Sequence, residues 1–308
     1  MDAGGGKRVG RQVPELPDIT VYLDALRSHA VGQRLDRIEL SSVFVLRTVD
    51  PPISVLAGAR LDDVSRIGKR IVLDFGNDLF VIVHLMIAGR LRWRASAEPL
   101  RLGPKMILAA FHFDAGTLVM TEAGSRKRAS LQVVRGQSAL QAVDRGGLEP
   151  LDATFSSFAE ALTRENHTLK RALTDPTLFS GIGNAYSDEI LHAAQLSPLK
   201  LSRALSDDDR RRLYEATRRT LVDWINRLRT DAGGRFPEKV TAFHAEMAVH
   251  GRFKQPCPAC GSPVQRIVYA DNECNYCATC QTGGRLLADR SLSRLLKTDW
   301  PRSIDEVS

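Results

Sequence analysis

Between residues 38 and 134 short apolar runs alternate with turn signals. Residues 70–75, 79–85, 90–94, 107–113, 117–121 and 131–134 have the length and composition of strands, and Gly76-Asn77-Asp78 and Asp114-Ala115-Gly116 read as their turns. Strands this closely spaced predict an antiparallel sandwich or barrel. Ahead of them, residues 18–28 place Ile19, Leu23 and Leu26 near helical spacing behind a proline-bearing start, which predicts a helix. Beyond Gly146-Gly147 the period lengthens. Residues 154–163, 168–173, 184–194 and 207–228 are predicted helices, with a weaker helical stretch near Glu246. In the longest, Leu213, Ala216, Leu221 and Trp224 fall towards one side. Residues 231–240, with Gly233-Gly234 and Pro237, read as a connector, and residues 301–308 lack an apolar face and read as a loose tail.

The 308 residues suffice for two domains and a small module. A formal charge of +7 makes nucleic acid the first partner to consider. No apolar run approaches a membrane span, and the Gly-rich, basic start lacks the apolar segment of a secretion signal. All five cysteines lie near the C-terminal end, which leaves none for a disulfide framework elsewhere and favours a reducing compartment. A cytoplasmic protein that does not cross a membrane is expected.

Cys257/Cys260 and Cys277/Cys280 form two Cys-x2-Cys units separated by sixteen residues, enough for a short hairpin. Four reduced thiols at this spacing can close a tetrahedral site for one structural zinc ion. Cys274, Cys277 and Cys280 also repeat the opening of a ferredoxin-like cluster motif, but the continuation to a nearby fourth cysteine followed by proline is missing. Gly181-Ile182-Gly183 lies between two predicted helices. Such a turn can aim backbone amides at a phosphate oxygen, and it can equally let two helices cross closely. The run Asp207-Asp208-Asp209-Arg210-Arg211-Arg212 has the charge order of a solvated helix start.

Pro14-Glu15-Leu16-Pro17 resembles the N-terminal motif of the formamidopyrimidine-DNA glycosylase and endonuclease VIII family. Further matches follow in order: Gly68-Lys69 before a strand, His84-Leu85 with Gly89, Leu169-Lys170, Gly181-Ile182-Gly183-Asn184-Ala185-Tyr186 with Glu189, and the four-cysteine module. The resemblance implies an α+β multidomain fold. An N-terminal antiparallel β-sandwich is followed by a C-terminal helical domain with a helix-two-turn-helix and a zinc β-hairpin finger. The implied boundaries are a non-native or disordered extension at 1–13, a catalytic sandwich at 14–147, the helix-two-turn-helix domain at 148–248, the finger at 249–287 and a tail at 288–308.

The resemblance also implies an activity: excision of a damaged base from double-stranded DNA and nicking of the abasic strand, carried out by a monomer. By the same likeness Pro14 is the nucleophile, Glu15 its acidic partner and Lys69 a contact to the phosphate beside the lesion. Lys170 and Asn184 match positions near the phosphate-binding turn. A terminal proline is a secondary amine whose lone pair can attack the sugar carbon, and the resulting iminium acidifies the neighbouring proton so that the phosphate can leave. A carboxylic acid next to it can protonate the ring oxygen.

Several positions depart from the family pattern. An internal Pro14 is an amide and has no lone pair to offer. Val13 stands where the family has its initiator methionine, so an initiating GTG codon followed by methionine removal would expose Pro14. Asp18 replaces the usual glutamate, and Ile87, beside Met86, takes the place of a gap-filling methionine. The usual Asp-Pro-Arg-Arg-Phe-Gly stretch is replaced around Arg126-Lys127-Arg128, which keeps cations for the groove but carries no aromatic wedge. In the finger Asn272 stands where an arginine is expected, giving a hydrogen-bonding amide without charge. The competing expectation is a non-catalytic protein that binds damaged or abasic DNA; binding to structured RNA is a third.

Overall fold

The computed structural model describes residues 13–95, 104–123, 126–238, 240, 244–269, 272–287 and 302–307. Apart from Val13, the 1–13 extension lies outside them, as does most of the 288–308 tail. Helix α1 (Leu16–His29) precedes two four-stranded antiparallel sheets. One has the order β1-β6-β7-β5, from β1 (Leu35–Leu40), β6 (Ile107–Phe113), β7 (Gly116–Glu122) and β5 (Gly89–Ala95). The other has the order β2-β3-β4-β8, from β2 (Asp63–Ile67), β3 (Arg70–Asp74), β4 (Leu79–His84) and β8 (Ser130–Arg135). Alternate residues such as Ile71, Leu73, Val81, Val83, Leu118 and Met120 meet between the sheets, with Ile19, Tyr22 and Leu26 of α1 closing the same core.

The periodicity locates six of the eight strands. The other two, β1 and β2, are edge strands with charged or polar residues at most positions, such as Asp36, Arg37 and Glu39, so no apolar alternation marks them. Charge on an edge strand discourages further strand pairing.

After the short helix α2 (Gln137–Gln141) come α3 (Phe155–Arg164), α4 (Leu169–Thr174), α5 (Asn184–Ala193) and α6 (Asp207–Ala232). Ser206 caps α6 by accepting the Asp209 N–H at 3.1 Å, its first turn is acidic, and Gly233 ends it in the left-handed conformation. The helix therefore takes the first two residues of the expected connector. Leu16, the first residue of α1, packs in the core of this helical domain rather than in the sandwich. The chain's Pro14-Glu15 segment is thereby fixed at the junction of the two domains.

No helix forms near Glu246. The N–H groups of Ala248, Val249 and His250 donate instead to the Glu189 carboxylate at 2.7, 2.9 and 2.9 Å, so they are not available to a helical ladder. The cysteine module is a hairpin of β9 (Gln265–Tyr269) and β10 (Asn272–Tyr276), followed by α7 (Ala278–Thr282). Residues 302–307 are not a loose tail. Leu286 N–H donates to Arg302 O, Ile304 N–H donates to Gly284 O, both at 2.9 Å, and Ile304 packs against the hairpin cluster of Ile267 and Tyr276. A single isoleucine anchors this segment, too little to register as an apolar face. Among the described residues no helix is long and apolar enough to cross a membrane.

Candidate active site

Glu15 is buried, and its carboxylate sits on the N-terminus of α5. Oε2 accepts the N–H of Gly183 at 2.6 Å and of Tyr186 at 3.3 Å, and Oε1 accepts that of Ala185 at 2.9 Å. These are orphan amides of a helix start, where an anion is favoured. The turn that could have cradled a phosphate is therefore occupied by a side chain from the other domain. Glu15 N–H donates to Asp18 Oδ2 at 2.8 Å, so the shorter acid still reaches back to the start of α1.

Two glycines permit this approach. Gly181 lies in the left-handed region at φ +78°, and its carbonyl accepts the Leu16 N–H at 2.9 Å; an added Cβ would come within 2.9 Å of the Leu16 Cβ. Gly183 has an ordinary extended backbone. An added Cβ there would lie 2.6 Å from Glu15 Cδ and Oε1 and collide with Lys69 Nζ. Glu15, Lys69 and the Gly183 backbone are thus pressed together, and buried Pro14 precedes Glu15 in the chain. Burial pulls the Lys69 ammonium below the ordinary lysine range; Glu15 opposes the shift and Lys170 adds to it. Arg66 on β2 braces the junction through Gly68 O at 3.0 Å, Ser180 Oγ at 3.2 Å and the Glu149 carboxylate.

Lys170 points inward. Its Nζ donates to Asp188 Oδ1 at 2.5 Å and to Asn184 O at 2.6 Å. Asp188 is fully buried and its Oδ2 also lies 2.7 Å from His250 Nδ1 and accepts the Asn275 N–H at 3.0 Å. Burial alone would raise the Asp188 pKa, but Lys170 and His250 outweigh it and hold it below the usual carboxylate value. Its neighbour Glu189 goes the other way, since burial raises its pKa more than three backbone donors lower it. These adjacent acids of α5 join the helical domain to the hairpin and the segment before it. The sequence marked Glu189 as a motif residue but gave no sign of its backbone partners or of the role of Asp188.

Asn184 is half-buried in the first turn of α5. Arg126 and Arg128 are exposed, while Lys127 donates to Glu122 O and the Arg128 and Ala129 amides donate to Glu122 Oε2 at 2.8 and 3.1 Å. The buried Glu122 therefore anchors the basic loop. Asn272 opens β10 opposite Tyr269, at the tip of the hairpin. His84 lies across from Ser130, and together with Arg70, Ile82, Met86 and Gln132 they line a shallow cavity of about 180 Å³. Burial, Arg70 and Lys69 lower its pKa to about 4, so it is neutral at physiological pH.

The Sγ atoms of Cys257, Cys260, Cys277 and Cys280 all lie within 4.8 Å of one another, with Cys260 and Cys277 at 3.4 Å and Cys257 and Cys280 at 3.9 Å. A tetrahedron of thiolates about 2.3 Å from a zinc ion has edges of roughly 3.8 Å, so the donor set fits that ion. His192 Nε2 on α5 lies 3.2 Å from Cys257 Sγ, a partner the spacing of the cysteines could not reveal. Cys274 is buried in the neighbouring apolar cluster rather than among the four sulfurs.

Residues 13–130 match the family model for the formamidopyrimidine-DNA glycosylase N-terminal domain, and residues 147–232 match that for the formamidopyrimidine-DNA glycosylase H2TH domain. The formamidopyrimidine-DNA glycosylase of Desulforamulus reducens is 30% identical over 281 residues, which cover 87% of this chain and 99% of that relative. The chain belongs to the formamidopyrimidine-DNA glycosylase family. The crystal structure of the MutM (Fpg) protein from Thermus thermophilus superposes with a TM-score of 0.72 at 32% identity, covering 87% of this chain and 98% of that one. A Lactococcus lactis Fpg in complex with DNA containing an abasic site gives 0.75 at 26% identity, covering 87% and 99%. In this family member the helix-two-turn-helix region is the one that receives Glu15, so the two matched domains meet at the same few atoms.

Proposed function

We propose that this protein is a bifunctional DNA glycosylase and abasic-site lyase of base-excision repair, acting on damaged double-stranded DNA in the cytoplasm. The observation that carries the reading is the junction itself. Glu15 is locked by three amides of α5 beside the Lys69 ammonium, directly after Pro14.

In the active form Pro14 is the first residue. The N-terminal family model begins one residue earlier, at Val13, in support of this. The free secondary nitrogen attacks C1′ of the damaged nucleotide. The glycosidic bond breaks, the base leaves with the bonding pair, and Glu15 takes the proton that the proline nitrogen sheds and passes it to the sugar oxygen as the ring opens. The product iminium draws electrons from the neighbouring carbon, a proton is lost there, and the 3′ phosphate leaves by β-elimination; a second elimination releases the 5′ side. Lys69 neutralises the phosphate of the everted nucleotide, with Asn184 at the same helix start. Lys170 supports that turn from behind. Arg126, Lys127 and Arg128 face the groove, and Asn272 contacts DNA from the hairpin tip. Cys257, Cys260, Cys277 and Cys280 hold one structural zinc ion, which ties the hairpin together.

The full 308-residue chain supports a second reading, because in it the Pro14 nitrogen is an amide. That form binds damaged or abasic DNA without cutting it. Borohydride trapping on abasic duplex separates the two: the form beginning at Pro14 yields a covalent adduct and the full chain does not. If neither form traps or nicks the strand, the enzyme reading is wrong.

A further inference from the structure

Across the second sheet the strand register aligns one end of several elements. His84 pairs with Ser130, and Arg70 stands one step beyond the Ile71–Val83 pair, so these residues form a row at that end. Just past the row lie Lys69 in the β2–β3 turn, Met86 in the β4–β5 turn and the Arg126–Ala129 loop before β8. The row continues beyond β8. Leu46 bridges Leu131 in parallel, Arg47 N–H donates to Leu131 O at 2.8 Å, and Val133 N–H donates to Thr48 Oγ1 at 2.8 Å. The turn Val43–Val45 that leads into this bridge packs against β8 and, the bridge being parallel, lies towards its Ser130 end, the end that carries Lys69.

These two side chains are set out into solvent. In the single turn Val43–Val45, Val45 is buried in the sandwich core while Val43 and Phe44 are 72% and 79% exposed. Phe44 is the one exposed phenylalanine among the described residues. Exposed Arg47 follows the pair in the chain, and exposed Arg126 and Arg128 precede the start of β8, against which this turn packs. A stable protein interface needs about 800 Å² from each partner, whereas one ring and one valine offer roughly 300 Å². A small apolar tip among cations matches a polyanion whose bases present an apolar stack.

We propose that Phe44, supported by Val43, is a wedge that enters the minor groove of bound duplex DNA and partly unstacks a base step near the lesion. The inference rests on the DNA-repair reading above and adds an interaction outside the Pro14-Glu15 junction. Apolar wedges of this kind kink the duplex, and a kink favours eversion of a nearby nucleotide. The geometry also sets a range. The strand with Lys69 at its end and the segment following Phe44 are separated by three strand intervals, about 14 Å, which is roughly four rises of 3.4 Å along one DNA strand. The unstacked step therefore lies within about four base pairs of the everted nucleotide.

The test uses the form beginning at Pro14 and duplexes with a tetrahydrofuran abasic analogue, with 2-aminopurine placed in turn at each of the five positions on either side, in both strands. Parent protein brightens the probe at one step within the stated range. Phe44→Ala loses that signal and binds the duplex about tenfold more weakly, within the worth of one base–aromatic stack. Phe44→Trp keeps the signal, and the melting temperature of both variants matches the parent because the ring makes little contact within the fold. If Phe44→Ala binds the analogue with the parent's affinity and an unchanged fluorescence profile, the wedge is refuted while the repair reading stands. Parent that self-associates in sedimentation through this tip, with Phe44→Ala monomeric, would assign the tip to a second copy and overturn the proposal. Parent that ignores the analogue duplex altogether overturns the repair reading as well.

Discussion

Replacing Gly183 with alanine probes the junction without replacing a charged group. The added methyl would stand 2.6 Å from Glu15 Cδ and Oε1, against the 3.4 Å at which ordinary contact begins, so the carboxylate must retreat by about 0.8 Å. Lys69 can swing its flexible end aside. Glu15 cannot move without stretching its bonds to the amides of Gly183, Ala185 and Tyr186, which now measure 2.6, 2.9 and 3.3 Å. Misplacing a catalytic group by about 1 Å costs on the order of a hundredfold in rate, and crowding a packed site costs about 1–3 kcal/mol of stability. Single-turnover nicking of an abasic duplex by Gly183→Ala, in the form beginning at Pro14, is therefore expected to slow by about two orders of magnitude. Affinity for the uncut analogue should stay close to the parent's, and the melting temperature should fall modestly. A variant that melts with the parent and nicks at the parent's rate would refute the idea that Glu15 must be held where it is.

The buried ion pair gives a stability prediction. Lys170→Met leaves buried Asp188 with His250 and the Asn275 N–H but without its ammonium partner, at a cost of about 1–3 kcal/mol, and adding Asp188→Leu should recover only part of it because those two groups then lose their acceptor; denaturant melts of the single and double variants decide. His84 binds a proton less readily in the fold, at about pH 4, than in the unfolded chain at about 6.5. Its contribution to stability is thus present above pH 6.5 and is lost as pH falls towards 4, so His84→Phe should flatten the pH dependence of unfolding across that window. For Lys69, a lowered pKa means that its charge is lost on the alkaline side earlier than the usual 10.5. Lys69→Arg should extend the alkaline limb of the pH–rate profile upwards, and an unmoved limb would clear Lys69 of setting it. Metal analysis should find one zinc ion per chain, and Cys277→Ser or strong chelation should remove it and lower the melting temperature; a protein that melts identically without the ion would argue against a structural role.

Much of the fold could be read from the chain because its core strands are continuous apolar runs and its helices carry clear one-sided patterns. What escaped follows physical lines. The edge strands β1 and β2 are charged, so alternation vanishes. The stretch near Glu246 has helical composition, but its amides are claimed by Glu189 from another element, and no local pattern encodes a partner about sixty residues away. The same holds at the site. Pro14, Glu15, Lys69 and the four cysteines stand in recognisable motifs, and the structure brings Glu15 and Lys69 together. The motif glycines could be read as a phosphate cradle or as a close crossing. Gly181 is a close crossing and the Gly183 amide serves Glu15, a distinction that depends on which side chain arrives first. Lys170 shows the limit from the other side, since a lysine near a phosphate-binding turn looks like a DNA contact until Asp188 is seen beneath it.

The most direct measurement is mass-spectrometric mapping of the borohydride-reduced adduct between abasic duplex and the form beginning at Pro14. The adduct should sit on the Pro14 nitrogen, and the 308-residue form should give none. An adduct on a lysine, or equal trapping by the long form with its first thirteen residues intact, would contradict attack by a free N-terminal proline.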